Sequence, residues 1–467
     1  MKPLTALAAL FLTTVTAAGA PSTLRVDYVH LGSANSEYFG LDRTVQEPLP
    51  WPGNLAKNVD TSNLGKYYFE VADEASGQIL YSRGFCSIFG EWEETSDAQN
   101  YNRSFSESLR FPEPSDPVTI RIKKRDPKNQ FKEVWSFRLD PKDIFIDRAL
   151  PANPGDLITL QKNGDSADKV DFLLLGDGYT EAELPKFESD ARRLLEQLFA
   201  TSPYKEHRED FNVWGLCPPA RESGIARPST DIQRRSPLGC SYDFFGSERY
   251  IITSENRTVR DIASFAPYEA MEILVNNRTY GGGGIFGLYG TVSVDNALSA
   301  YIFVHEFGHH FAGLADEYYT SDVAYITGGK VRLEPWEPNV TADPKNPKWK
   351  ALLSPDVPLP TPWAKAEFEK SSFAFQKERA RIRASMGQES EMEVLMLDQA
   401  KKETNLLSKD TWAHKVGAFE GANYEATGYY RSQEDCIMFT RSQVPFCAAC
   451  TAAIERVIKM YTPIDTN

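Results

Sequence analysis

The segment VHEFGHHFAGLADEYY, residues 304–319, constrains the fold of this chain more than any other. His305 and His309 are four residues apart, so on an α-helix they share one face, while Glu306 lies about 100° around the helix. Two neutral imidazoles on one face can bind zinc, and the glutamate can take a proton from a metal-bound water. The alternative is a buried helix on which these side chains only pack, but burying them together without a metal carries a desolvation cost. The pattern therefore predicts one catalytic Zn²⁺ with Glu306 as the general base.

The third zinc ligand is predicted from the end of this helix. Gly313 can end the helix in a left-handed turn, and Asp316 follows three residues later. In the metzincin pattern HExxHxxGxxH a glycine turn also brings the third ligand three residues on, although here the glycine comes one position later. We predict Asp316 as the ligand. The alternatives are Glu317 and, in a thermolysin-type arrangement, a downstream glutamate such as Glu334 or Glu337.

Metzincins also place a methionine turn beneath the metal. The segment DCIMFTR offers Met438 for this role, and PFCAAC then leads into a predicted helix from Thr451 to Met460. His310 points away from the face of the two ligands, so we expect it to pack rather than to bind the metal.

The N-terminus has the three parts of a secretory signal peptide. Lys2 is the only charge before Arg25, an apolar run spans residues 4–15, and small residues follow at positions 16–20. The apolar run is too short to span a bilayer, so we expect cleavage near residues 18–20 and a secreted, extracellular protein without a membrane span.

Composition limits the class of partner. The formal net charge is −14, which opposes a nucleic-acid partner because such a partner requires a basic face. The expected partner is a protein or peptide substrate, and the sequence does not indicate an oligomeric state.

Six cysteines in an exported chain predict disulfide bonds. Two pairings are expected, one between Cys217 and Cys240 and one between Cys436 and either Cys447 or Cys450. Cys86 has no assigned partner. The CAAC segment at residues 447–450 also resembles half of a zinc knuckle, but the sequence has no second such pair.

Four asparagines begin an Asn-x-Ser/Thr sequon and are predicted to be glycosylated in surface loops. They are Asn102, Asn256, Asn277 and Asn339.

The chain divides into regions of different pattern. Residues 21–150, after the signal peptide at 1–20, contain short β-branched and aromatic runs separated by turns, which predicts an all-β sandwich. The segment PANPGD begins residues 151–467, where strands alternate with helices, which favours a mixed α/β catalytic domain. Residues from about 364 to 413 are rich in charged side chains and predict a solvated helical insertion.

Substrate contacts are predicted from segments that come before and after the predicted zinc helix in the sequence. Residues 285–294 are expected to form an edge strand with which an extended peptide can pair. Gly287 and Gly290 in this strand would allow close approach. Tyr429 or Tyr430 would stabilise the developing oxyanion, and core packing is an equally compatible role for both.

Eight motifs in order resemble the IgA-peptidase family of secreted zinc metallopeptidases, over about residues 168–460 apart from the insertion. They are LLLGDGYT, ERYIIT, YGGGGIFGLYGTVSVDN, HEFGHHFAGLADEYY, EPWEPNVT, GAFEGANYEATGYYRS, DCIM and FCAAC. The resemblance implies an α/β metzincin-like zincin catalytic domain, preceded by an all-β accessory domain, with secreted zinc endopeptidase activity. It implies zinc binding by His305, His309 and Asp316, with Glu306 as the base and Met438 in the methionine turn.

Two other functions remain open on the sequence. One is a gluzincin-type zinc exopeptidase, which would use a downstream glutamate ligand. The other is a non-catalytic binding protein on the same fold, although binding alone does not require Glu306.

Overall fold

The computed structural model describes residues 19–328 and 331–463, so the predicted signal peptide lies almost wholly outside the described residues. Within the described part of the chain, no helix is both long and apolar enough to cross a membrane.

The N-terminal region is mostly β-sheet. Its strands are β1 (Ser22–Ser33), β2 (Ser36–Pro50), β3 (Tyr67–Asp73), β4 (Ile79–Phe85), β5 (Arg103–Pro112), β6 (Val118–Arg125) and β7 (Phe131–Leu139), with one short helix, α1 (Ile88–Trp92). They form two antiparallel sheets, of order β2-β1-β5 and β4-β3-β6-β7. Alternate side chains of both sheets, such as Val26, Leu109, Phe69 and Ile120, enter one common core, as the period of two predicts. The prediction of a β-rich N-terminal part is confirmed.

The region after it is mixed α/β. A six-stranded sheet has the order β12-β13-β11-β9-β10-β8. Its strands are β8 (Ile158–Gln161), β9 (Val170–Asp177), β10 (Phe211–Leu216), β11 (Ala270–Val275), β12 (Gly282–Ile285) and β13 (Tyr289–Ser293). The four inner strands are parallel and the two edge strands are antiparallel to their neighbours. β9 is buried along its whole length, which explains the apolar run FLLL at its centre.

Six α-helices of the described residues complete this region. They are α2 (Leu184–Leu198), α3 (Asn256–Ala263), α4 (Ser299–Ala312), α5 (Lys365–Ala384), α6 (Glu389–Leu407) and α7 (Ala448–Tyr461). Helices α2, α4 and α7 pack in one core on one face of the sheet, and α3 packs on the other. α4 ends where Gly313 adopts a left-handed conformation with φ of 62°. A β-carbon would be strained there, and the Leu314 N–H closes the turn on the Gly308 carbonyl.

A small sheet of order β14-β16-β15 lies beyond α4. Its strands are β14 (Val340–Thr341), β15 (Phe419–Ala422) and β16 (Glu425–Arg431). The β15–β16 hairpin turns through Asn423 and Tyr424, both with positive φ. The two turn N–H groups donate to the carbonyls of Asp316 and Tyr318, so the hairpin is docked on the segment that follows α4.

Two predictions about local structure need correction. The edge strand is not residues 285–294 but β12, formed by the glycine run itself, and β13 is an inner strand. The charged insertion forms α5 and α6 as two helices, but it is not only solvated. Phe368, Phe375, Met392 and Met396 join the core that α4 shares, because charged and apolar positions alternate around these helices.

The predicted disulfides are not formed. All six cysteines are buried free thiols. Cys217 and Cys240 belong to core clusters on opposite faces of the six-stranded sheet, which is why they do not pair. The predicted pairing of Cys436 with Cys447 or Cys450 is absent as well, although these three thiols lie close together.

The predicted surface position is wrong for two of the four sequons. Asn256 and Asn339 are buried, and the Asn339 side-chain amide bonds to neighbouring groups of the loop after α4. A glycan on either amide nitrogen would have no room in the folded chain. Asn102 is exposed and Asn277 is half-buried, so glycosylation remains a prediction at these two positions.

Candidate metal centre

Helix α4 presents two imidazoles at one point. The Nε2 atoms of His305 and His309 are 3.1 Å apart. The Nδ1 atom of His305 lies 2.9 Å from the Ile437 carbonyl oxygen, and that of His309 lies 2.6 Å from the Leu314 carbonyl oxygen. A carbonyl requires a donor, so both protons belong on Nδ1 and both Nε2 lone pairs are available to a metal.

Asp316 joins this pair. Its Oδ1 atom is 3.0 Å from His305 Nε2 and 3.2 Å from His309 Nε2, and no described group donates a hydrogen bond to it. Zinc bonds of about 2.0 Å at tetrahedral angles place two ligand atoms about 3.3 Å apart. The three atoms therefore have the spacing of a zinc ligand set, and Oδ1 is a buried acceptor that a metal would satisfy.

The loop after α4 determines which carboxylate faces the histidines. The Asn339 side chain holds both backbone groups of Ala315, at 2.8 and 2.9 Å, and the Glu317 N–H donates to the Met438 carbonyl at 2.9 Å. Successive side chains of the extended segment point to opposite sides, so Asp316 faces the histidines and Glu317 faces away.

The Asp316 carboxylate is held in its charged form. Burial raises its pKa, but His309 and His305, which can be protonated when no metal is bound, more than offset this, and the pKa lies well below its usual value. Its second oxygen, Oδ2, accepts a hydrogen bond of 2.6 Å from the Tyr424 hydroxyl. This bond fixes the carboxylate so that Oδ1 remains directed at His305 and His309.

Glu306 lies beside the cluster on the cleft wall. Burial raises the pKa of its carboxyl, and the two neighbouring histidines oppose that rise. Edge strand β12 passes close to it, because a β-carbon at Gly284 would lie 3.2 Å from Glu306 Oε2 and 2.6 Å from its carbonyl oxygen. The glycine thus allows the strand to approach the helix at the point where Glu306 meets the cleft.

The cluster opens into a cleft of about 610 Å³. Both parts of the chain contribute to its walls. The lining residues include Glu306, His309, Gly282, Gly283, Gly284, Tyr318 and Tyr424 from the α/β region, and Lys66, Arg125 and Asn129 from the β-rich region.

Comparison with known families assigns the chain. The model of the family described as IgA Peptidase M64 matches residues 158–458, and that described as Peptidase M64 N-terminus matches residues 16–136. The chain belongs to the IgA peptidase M64 family. A search of curated proteins found no match. Membership establishes a metallopeptidase whose substrate is a protein or peptide, and the predicted resemblance is confirmed.

The other predicted site residues differ in whether they line the cleft. Met438 is fully buried beneath α4, where a β-carbon on Gly308 would lie 3.0 Å from its Sδ atom. Tyr429 lines the cleft. Tyr430 lies on β16 but is not part of the cleft wall, so it is not placed to stabilise an oxyanion.

The role predicted for Gly287 and Gly290 is wrong. Gly287, with φ of 70°, forms the β12–β13 turn and faces Phe85 of the β-rich region. Gly290 lies on the inner strand β13 and faces the buried Glu272. Neither lines the cleft, whereas Gly282, Gly283 and Gly284 of the edge strand do.

Of the alternative third ligands, Glu317 and Glu334 bond to other groups, and Glu337 lines the cleft. Glu317 faces the thiols of Cys447 and Cys450. Glu334 accepts hydrogen bonds from the Thr341 hydroxyl and the Ala342 N–H.

Three residues that support this site are not predicted from the sequence. Tyr424, Asn339 and Arg249 lie far from α4 in the chain, and Arg249 donates to the Tyr318 hydroxyl at 3.2 Å. The one available signal was the GANYEATGYY segment, whose Asn423–Tyr424 pair lies between two strand-like runs. His310 accepts from the Met271 N–H at 2.9 Å and packs against the sheet, as predicted.

Proposed function

We propose that this chain is a secreted zinc endopeptidase of the metzincin-like type, in which His305, His309 and Asp316 bind one catalytic Zn²⁺. The observation that carries the proposal is the convergence of two Nε2 atoms and Asp316 Oδ1 within 3.0–3.2 Å beside Glu306, at an open cleft. Two imidazoles and a carboxylate form a ligand set that suits zinc and leaves a fourth position for water or substrate.

When bound, Zn²⁺ would supply Lewis acidity to a water molecule and to the substrate carbonyl. Glu306 accepts the proton of the attacking water and then donates it to the nitrogen of the leaving amine. Tyr424 and Asn339 act indirectly, as positioning residues for Asp316.

Substrate binding is proposed at the Gly284 end of β12, because the outward N–H and C=O of Gly282 already bond to Arg249 and Ile251. In its antiparallel pairing with β13, Gly283 lies opposite Thr291 and Gly281 bonds to Ser293, so the peptide groups of Gly284 point outward to the cleft. An extended peptide can pair with these groups without a free terminus. Of the two tyrosines predicted to stabilise the oxyanion, Tyr429 is the one that lines this cleft.

The metzincin-like assignment and secretion are parts of the same proposal. Gly313 ends the helix, Asp316 follows, and Met438 lies under the helix, all of which support a metzincin-like arrangement. The charge, apolar run and small residues of positions 1–20 support secretion. Removing residues 1–20 should retain the protein inside the producing cell, and unchanged export would refute the signal peptide.

The test of function is hydrolysis of unfolded casein by the purified chain. We expect internal fragments by mass spectrometry, loss of hydrolysis with a chelator, and recovery with stoichiometric Zn²⁺. Release of single residues from chain ends would instead indicate the gluzincin-type exopeptidase. No hydrolysis by a zinc-loaded protein would indicate a binding protein.

A further inference from the structure

A second cluster of potential metal ligands lies behind the first. Its members are Glu317, Cys436, Cys447 and Cys450, and the four potential ligand atoms lie within 4.8 Å of one another. All four residues are buried. We propose that this cluster binds a structural zinc ion, distinct from the catalytic ion and independent of the proposed peptidase function.

The distances suit such an ion. The sulfur of Cys450 is 3.9 Å from that of Cys436 and 3.3 Å from that of Cys447. Glu317 Oε1 is 3.5 Å from the sulfur of Cys447 and 3.4 Å from that of Cys450. Zinc bonds of about 2.3 Å to sulfur and about 2.1 Å to oxygen give tetrahedral edges of about 3.8 Å between sulfurs and about 3.6 Å between sulfur and oxygen.

Polar groups are directed at the cluster. The backbone N–H groups of Met438 and Cys447 both donate to the sulfur of Cys436, at 3.4 and 3.2 Å. Cys447 is the N-cap of α7, where the helix dipole stabilises negative charge. The fully buried guanidinium of Arg431 interacts with Glu317 and adds a positive charge to this region.

One oxygen of the cluster lacks a partner. Glu317 is 0% exposed, and its Oε2 atom has no hydrogen-bond donor among the described residues, while Oε1 accepts from Asn339 at 3.0 Å. A buried carboxylate with one oxygen lacking a donor is costly, and a cation bound at the neighbouring Oε1 would offset the charge of the whole group.

A disulfide explains this arrangement less well than a metal. Any disulfide would use two of the three thiols and leave a third thiol and a buried carboxylate together. A zinc ion uses all four groups, and because the protein fills all four positions, the site is closed and structural rather than catalytic.

This ion would connect three segments that support the catalytic cluster. It would join the α7 N-terminus, the segment of Cys436 and the loop that carries Asp316. The Met438 carbonyl binds the Glu317 N–H, and the neighbouring Ile437 carbonyl orients His305. Thus the closed site would stabilise the segments that orient His305 and Asp316.

The experiment counts zinc in the full-length chain after loading with Zn²⁺ and desalting. We expect two zinc ions per chain in the native protein, one in His309→Ala and one in Cys450→Ser, with two retained in the matched control Cys217→Ser. Because Cys450→Ser could fail to fold, the His309→Ala variant is also loaded with Co²⁺. It should show thiolate-to-cobalt charge-transfer absorption in the near-ultraviolet, which an imidazole–carboxylate site cannot produce.

Two results would overturn the proposal. One is a single zinc ion in the native chain, together with no zinc and no thiolate–cobalt band in His309→Ala. The other is a disulfide between any two of Cys436, Cys447 and Cys450, found by peptide mapping of the native protein under non-reducing conditions. Neither result would affect the caseinolysis test.

Discussion

Two neighbouring carboxylates face two different environments. Asp316 points to two imidazoles at the edge of a cleft, and Glu317 points to three thiols in a sealed core. The open cluster leaves room for water and substrate, whereas the sealed cluster fills every position with protein groups. The alternation of an extended segment thus turns adjacent acidic residues towards two separate clusters.

The groups that surround the two clusters differ as well. Around Asp316, single hydrogen bonds orient the ligands, such as that from Tyr424 at 2.6 Å. Around Glu317, backbone N–H groups donate to sulfur and a buried arginine balances charge. We therefore expect substitutions at the first cluster to reduce activity directly and those at the second to act through stability.

The largest effect is expected when the two carboxylates, Asp316 and Glu317, are each replaced by alanine and compared. Asp316→Ala should lose the imidazole-bound ion and reduce caseinolysis to background, because two imidazoles alone bind zinc weakly. Glu317→Ala should keep that ion, measured as zinc that Glu317→Ala retains but that is lost when His309→Ala is added, with a folded circular dichroism spectrum throughout. Loss of the imidazole-bound ion in Glu317→Ala, with retention in Asp316→Ala, would reverse the assignment.

The hydrogen bond from Tyr424 gives an intermediate effect. Tyr424→Phe removes the donor to Asp316 Oδ2 and should weaken zinc binding by about 10–100-fold, as the loss of a partner of a metal ligand does elsewhere. Zinc affinity is measured by competition with a chelator, and the exposed Tyr38→Phe is the matched control. Equal affinities of the two variants would show that the bond does not position Asp316.

The smallest effect is expected at the edge strand. In Gly284→Ala the new β-carbon would lie 2.6 Å from the Glu306 carbonyl oxygen and 2.9 Å from His309 Cβ. Moving the strand away should cost about 1–3 kcal/mol in the free energy of unfolding and raise the KM for casein, with zinc retained. The control is Gly40→Ala, whose β-carbon meets no atom within 4 Å. An unchanged unfolding midpoint and KM would contradict the close approach of β12 to α4.

Local patterns predicted the zinc helix and its end, but not the surroundings of the two clusters. The four-residue spacing of His305 and His309 and the left-handed Gly313 are properties of a single helix, which short-range rules describe. Cys436 and Glu317 meet only because α7, the segment before it and the loop after α4 pack together. The CAAC spacing resembles half of a zinc knuckle, but no spacing within the sequence places Cys436 and Glu317 beside it, so the sequence favours disulfides.

The same limit explains the edge strand and the sequons. A run of four glycines has little strand propensity, and only its close packing on α4 and its pairing with β13 make it a strand. Asn339 matches a surface sequon, yet its amide is buried because it holds the loop of Asp316. The sequence pattern alone does not distinguish these roles.

The most direct test of the central claim is the turnover of Glu306→Gln on casein at full zinc occupancy. The amide side chain would keep the shape of the carboxylate but could not accept a proton, so we expect turnover to fall by about 10²–10⁴-fold while zinc content and fold are unchanged. Glu188→Gln, remote on α2, is the matched control and should retain full turnover. Turnover of Glu306→Gln close to that of the control, with zinc bound, would contradict the account.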